Sequence, residues 1–123
     1  MRQPSSTLTG QELEIMKIVW EHDRATVRDV YEALLERRKV AYTTVMTMMK
    51  ILEQKKYLKK SQVDRAYVYR PAQPQHKVIG AMVREFVNRV FNGSAEPLLV
   101  HLVEEHDLSP EDWDEIARLR RKS

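Results

Sequence analysis

Wound at 100° per residue, residues 43–54 bring Val45, Met48, Met49 and Leu52 together at i, i+3, i+4 and i+7, which predicts a helix with one core-facing stripe. The opposite face carries Thr43, Thr47, Lys50 and Gln54, with Met46 on its flank. Upstream, Thr9 followed by Glu12 is a capping-box pattern that opens a helix to about Trp20, with Leu13, Met16 and Trp20 in one stripe widened by Ile15, Ile18 and Val19. Thr26 and Asp29 repeat the pattern before a second helix, which turns Val27, Val30, Tyr31 and Leu34 to one side. Thr43 or a neighbour is expected to cap the third. Residues 58–63 and 66–69 are short aromatic and β-branched runs joined around Asp64 and Arg65, and they predict a hairpin.

Beyond Pro71 and Pro74 the texture changes. Residues 76–91 place Ile79, Met82, Val83, Phe86, Val87 and Val90 at helical spacing, and Asn92 with Gly93 supplies a stop. Residues 98–103 are almost continuously apolar, and Ser109, Pro110 and Asp112 start a last helix over about 110–121. Three short apolar helices make a thin core by themselves. They predict a two-fold dimer through Val83, Phe86, Val87, Leu98, Leu99, Leu102 and Trp113. The expected division is a flexible arm over residues 1–8, a winged-helix domain over 9–75 and a helical dimerisation domain over 76–123. The fold class is mainly α with a small β-hairpin wing.

Charge sharpens this division. Net charge is only +3 over 123 residues, but residues 37–70 hold ten Lys and Arg against Glu53 and Asp64 alone. Residues 11–36 hold three bases against seven acids, so the basic segment is not an even spread. A helix with hydroxyls, an amide and a cation on its outer face, followed by a basic hairpin, is the layout of a winged helix-turn-helix. The implied partner is duplex DNA. Thr43, Thr47, Lys50, Met46 and Gln54 are assigned to base edges, and Tyr42, Thr44, Lys55, Lys59, Lys60 and Arg65 to phosphates and the wing. Two rivals remain open: a winged helix that binds an acidic protein without nucleic acid, and a regulator whose dimer cavity takes a small ligand.

Other chemistry is thinly represented. There is no cysteine, which removes disulfides and thiolate metal sites and fits a reducing, cytoplasmic setting. His101 and Glu105 stand at i, i+4, but two ligands do not make a metal site, and His22, His76 and His106 have no partner at metal spacing. Neither a metal nor a cofactor is expected. No nucleophile with its base, glycine-rich phosphate loop or paired buried carboxylates is visible, so no enzymatic activity is expected. No apolar run suits a signal peptide or a membrane span.

The stretches LTGQELEIMKIVW, VRDVYEALLERRKVAYTTVMTMMKILEQKKY and RAYVYRP resemble the winged-helix repressors of the BlaI/MecI family, with AYTTVMT at 41–47 the most specific part. The resemblance covers nearly the whole chain. It implies a homodimeric transcriptional repressor on an inverted-repeat operator, with residues 43–54 as recognition helix and 61–69 as wing. In one branch of the family, release follows proteolytic cutting in the dimerisation region after a membrane-bound sensor responds. There the chain departs from the pattern, since His101-Leu102 stands where the cleaved members have asparagine-phenylalanine. It also has Ile51 in place of a common arginine, Lys56 in place of a helix-ending glycine, and no glycine in the wing tip Val63-Asp64-Arg65-Ala66. The absence of cysteine excludes the copper-responsive branch.

Overall fold

The computed structural model describes residues 8–122, with side chains through Arg120. It divides into two compact units, Met1–Gly80 and Ala81–Ser123. Most of the arm expected over residues 1–8 lies outside the described residues, but Leu8 is buried. In the first unit, α1 (Gly10–His22), α2 (Val27–Leu35) and α3 (Tyr42–Gln54) pack with an antiparallel hairpin of β1 (Leu58–Val63) and β2 (Ala66–Pro71). The core follows the apolar spacing in part: Leu13, Trp20, Val27, Tyr31 and Met48 of the expected stripes are only half-buried. Ile15, Met16 and Val19 of α1, Val30 and Leu34 of α2, and Val45, Met49 and Leu52 of α3 are all at most 1% exposed.

Both expected capping boxes form. The Glu12 N–H donates to Thr9 Oγ1 at 3.1 Å while the Thr9 N–H donates to Glu12 Oε1 at 2.9 Å, and Thr26 and Asp29 do the same at 3.1 and 3.0 Å. The third helix starts differently from expectation. Its N-cap is Ala41, no side chain caps it, and Thr43 lies inside the first turn with its hydroxyl free for the outer face. Here Ala41 is extended, so the helix begins at Tyr42, before the threonines.

At its other end α3 closes in a Schellman motif. The Tyr57 N–H donates to the Leu52 carbonyl at 2.9 Å and the Lys56 N–H to the Glu53 carbonyl at 3.0 Å, with Tyr57 and Leu52 both buried. This requires Lys56 at φ 71°, a left-handed conformation that costs a residue with a Cβ about 1 kcal/mol. The wing turn is similar in kind. Asp64 (φ 49°) and Arg65 (φ 69°) form a two-residue loop between the paired Val63 and Ala66, the signature of a type I′ turn. The segment between α1 and α2 is more than a connection, because Ala25 pairs with Tyr69 through two backbone hydrogen bonds of 2.9 and 2.8 Å and so adds a third short strand to the wing's base.

One charged side chain sits in the core. Glu12 is 5% exposed and accepts from Lys55 Nζ at 2.9 and 3.1 Å besides its cap bond. Burial by itself raises the Glu12 pKa. The Thr9 N–H and the Lys55 ammonium outweigh that and hold the carboxyl below its ordinary 4.5.

In the second unit, α4 (Gln75–Phe91), which begins within the first, is followed by α5 (Glu96–His106) and α6 (Pro110–Lys122). Asn92 (φ 53°) and Gly93 (φ 86°) turn the chain after α4, and Ser109 with Asp112 caps α6 reciprocally at 3.2 and 2.8 Å. Phe91 meets Phe86 edge-on at 5.8 Å and His101 at 5.9 Å. Of α5, no residue is fully buried despite its apolar sequence.

Two stability predictions follow from the ends of α1 and α3. Lys56→Gly relieves the left-handed cost without touching a side-chain contact, so urea unfolding should show a gain of about 1 kcal/mol. Because the folded Glu12 pKa lies below 4.5, its contribution is complete above pH 4.5 and is lost as pH falls through the folded value. Glu12→Gln should therefore cost about 2 kcal/mol at pH 7, and the gap to wild type should narrow steadily below pH 4.5; a gap constant with pH would refute the ion pair.

Candidate nucleic-acid interface

Helix periodicity and the wing's alternation decide which side chains are presented together. With Val45, Met49 and Leu52 committed to the core, α3 turns Tyr42, Thr43, Thr44, Met46, Thr47, Lys50 and Gln54 outward, and all seven are exposed. Ile51 is half-buried, as is Met48. None of Thr43, Thr44, Thr47 or Gln54 spends its side chain on a hydrogen bond within the described residues. Their donors and acceptors are open to a ligand.

The wing does not present its cations on one face. In the register, Lys59 stands opposite Arg70 and Lys60 opposite Tyr69, and successive residues of a strand point to opposite sides. Lys60 therefore lies on the α3 side. Its ammonium is 3.6 Å from Glu53 Oε1 and 4.4 Å from the Tyr67 ring centroid. Lys59 lies on the other side with Arg70, lining a cleft with Trp20, Asp23 and the 71–75 segment. The indole there is fixed by donating to the Gln73 carbonyl at 3.0 Å. Arg65 projects from the exposed tip.

Lys55 is corrected in role. It was expected at a phosphate, but its ammonium is bonded to both oxygens of the buried Glu12, and its side chain is only 26% exposed. Arg37 and Arg38, both exposed, pair with Glu14 at the surface, at 3.9 and 2.8 Å. Among the described residues, Lys39, Lys50, Lys56, Lys59, Arg65 and Arg70 form no ion pair, so these six carry the uncompensated charge of the basic segment.

Two side chains escaped the sequence reading. Arg28, at the start of α2, lies 5.9 Å over the Tyr42 ring, which also meets Tyr31 edge-on at 5.3 Å; together they make an aromatic and cationic shoulder beside the α3 N-terminus. Tyr67 is the other. Strand alternation puts it on the same face as the buried Tyr69, yet it stands at the wing's outer half and is 53% exposed. Counting two residues outward from Tyr69 would have found it. The Tyr69 phenol is held above its ordinary value by burial, so it stays neutral and adds no charge to this face.

The fold is thus a winged helix-turn-helix whose second helix of the motif presents a polar, cation-flanked face. Residues 8–122 match the penicillinase repressor family, and the chain belongs to that family, the BlaI/MecI repressors. It is 38% identical over 95 residues to the transcriptional regulator BlaI of Mycobacterium tuberculosis, spanning 76% of this chain and 69% of that one. It is 27% identical over 112 residues to the penicillinase repressor of Bacillus licheniformis, spanning 91% and 88%. The solution structure of the Bacillus licheniformis BlaI monomeric form in complex with the blaP half-operator is similar at a TM-score of 0.50 and 27% identity, over 60% of this chain and 88% of that one. No helix among the described residues is long and apolar enough to cross a membrane, and no three His, Asp or Glu side chains among them are placed to hold a metal.

The roles expected of α3 and of the wing tip can be told apart by substitution. Thr47→Ala removes an exposed hydroxyl from the middle of α3 and should change the ranking of duplexes by about 1–3 kcal/mol at one base pair. Arg65→Ala removes a cation from the wing tip and should weaken all duplexes by a similar factor. Equal loss on every sequence from both variants, measured by competition binding, would refute the division.

Proposed function

We propose that two copies of this chain bind an inverted-repeat operator, each placing the outer face of α3 in a major groove with its wing beside it, and so block transcription until an inducing signal releases them. Membership of the family makes the chain a DNA-binding transcriptional repressor. The observation that carries the finer reading is the α3 face itself. Thr43, Thr47, Lys50 and Gln54 are exposed in one row without intramolecular hydrogen bonds, Met46 lies among them, and Tyr42, Thr44, Lys60 and Arg65 stand at the margin. Hydroxyl, amide and ammonium groups are the donors and acceptors that match base edges. The uncapped first turn of α3 adds backbone N–H groups, which favour a phosphate.

Pairing of two heads is supported by the second unit. Val83, Phe86, Leu99, Leu102 and Trp113 are exposed, and Val87 and Leu98 half-buried, in a chain taken alone. So much apolar surface on three short helices calls for a partner. A second copy meets that need and sets two heads one helical turn or a multiple apart. Release by cutting at His101-Leu102 is disfavoured by its position, since that bond lies in the middle of α5 and would have to unwind to enter a protease as an extended strand.

Selection of bound duplexes from a random pool should return an inverted repeat. On it, log affinity against log salt should fall with a slope near −7 if about eight phosphates are neutralised, and a single half-site should give about half that slope. A slope near zero would remove the electrostatic anchor. Equal slopes on half and full sites would remove the dimer, and recovery of no DNA would leave a protein-binding winged helix.

A further inference from the structure

Between α3 and the wing lie two apolar side chains outside the core: Met46, already placed on the α3 outer face with no base feature assigned to it, and Tyr67, which that reading does not use. Met46 is 46% exposed and Tyr67 is 53% exposed, each the main apolar group of its element's outer side. Both line the same two clefts. One, of about 250 Å³, is completed by Thr47, Lys50, Lys60 and Tyr69, and the other, of about 440 Å³, by Thr26, Val27, Arg28, Tyr42, Ala66 and Tyr69. The two residues are therefore a shared apolar ridge with hydroxyls and cations on either flank.

We propose that Met46 and Tyr67 together read the C5-methyl group of a thymine in each half-site. The inference rests on the reading of α3 as the major-groove helix and names the base feature that this part of it selects. Within the major groove, thymine is the base whose edge presents an apolar group, beside its O4 acceptor. Met46 can neither donate a hydrogen bond nor accept a strong one, so at its position on the reading face it discriminates by shape and burial alone. Its unbranched thioether adapts to a methyl group without strain and packs well on aromatic edges. The tyrosine ring is not loose: Lys60 Nζ sits 4.4 Å from its centroid and is itself tethered 3.6 Å from Glu53, so the ring is held toward α3 by a cation fixed to α3's own last turn. Structural need does not explain the pair. The neighbouring core positions are already filled by Val45, Met49 and Tyr69, each buried.

The test uses the full-length protein and duplexes recovered by its own selection. Each thymine of the half-site is replaced in turn by deoxyuridine, which deletes the methyl group and leaves every hydrogen-bonding group in place. At one position the wild type should bind about fourfold more weakly per half-site, about fifteenfold when both halves are changed. In Met46→Ala/Tyr67→Ser that ratio should fall to near one while the other thymines respond as in wild type. Both residues are exposed, and thermal unfolding establishes that the variant is folded. Tight binding with no thymine-uracil difference anywhere, or a difference that persists unchanged in the double variant, overturns the inference and leaves the repressor reading intact. Failure of the thymine duplexes themselves to bind would overturn the repressor reading instead.

Discussion

The carboxylate of Glu12 holds the winged-helix unit together, because it ties the start of α1 to the end of α3. It accepts the Thr9 N–H and so completes the α1 cap, and it takes the Lys55 ammonium at 2.9 Å just where α3 ends. One residue further, Lys56 turns left-handed and Tyr57 returns its N–H to Leu52, which launches β1. The angle between recognition helix and wing is therefore set at a point fixed from below by a buried ion pair. A carboxylate at 5% exposure is tolerated there because both its oxygens are bonded. Removing either partner would leave the other charged and poorly solvated.

That same bond explains where sequence reading reached and where it stopped. The cores of α1, α2 and α3 were legible because apolar residues at i, i+3 and i+4 can face only one way once the helix forms, and Val45, Met49 and Leu52 obey this. The capping boxes were legible because they are local. Lys55 was not, since its partner is 43 residues away and a lysine in a basic run looks the same whether it meets a phosphate or a buried glutamate. Thr43 failed as a cap for a subtler reason: the cap falls two residues earlier, and only the extended backbone at Ala41 decides that. Lys59 and Lys60 read as a pair in sequence, yet the hairpin sends them to opposite faces. The basic segment therefore overstates the cation density at the candidate surface, because Arg37 and Arg38 pair with Glu14, Lys55 is bonded to the buried Glu12 and Lys60 is shared with Glu53.

The second unit poses the opposite problem. Its helices were placed closely by their caps, with Ser109 and Asp112 fixing one start and Asn92 and Gly93 one stop. Their faces were harder to assign, because α5 is apolar nearly all round and α6 is strongly charged, so no single stripe separates inside from outside. Val87 and Leu98 prove half-buried within the unit while Val83, Phe86, Leu99, Leu102 and Trp113 stay exposed. Such a surface is what the proposed pairing rests on. In a dimer of that kind the second head would bind at an effective concentration set by the first, so modest single-site contacts would add up to a tight operator complex.

This division of labour bears on how the α3 face can afford to be so short of charge. Lys50 is its only ammonium; the rest are hydroxyls, an amide and a thioether, all neutral groups that gain little unless their partner has the matching edge. A face built this way contributes little to nonspecific attachment, so it penalises wrong sequences without trapping the protein on them. The uncompensated cations at Lys59, Arg65 and Arg70 lie on the wing, and the exposed apolar surface proposed for pairing lies in the second unit, each separated in the chain from the α3 residues proposed to discriminate. On the proposed dimer, affinity would change with salt or subunit exchange while the preference for one base sequence over another stayed where α3 sets it, and an inducing signal that parted the two copies would not need to touch the α3 face at all.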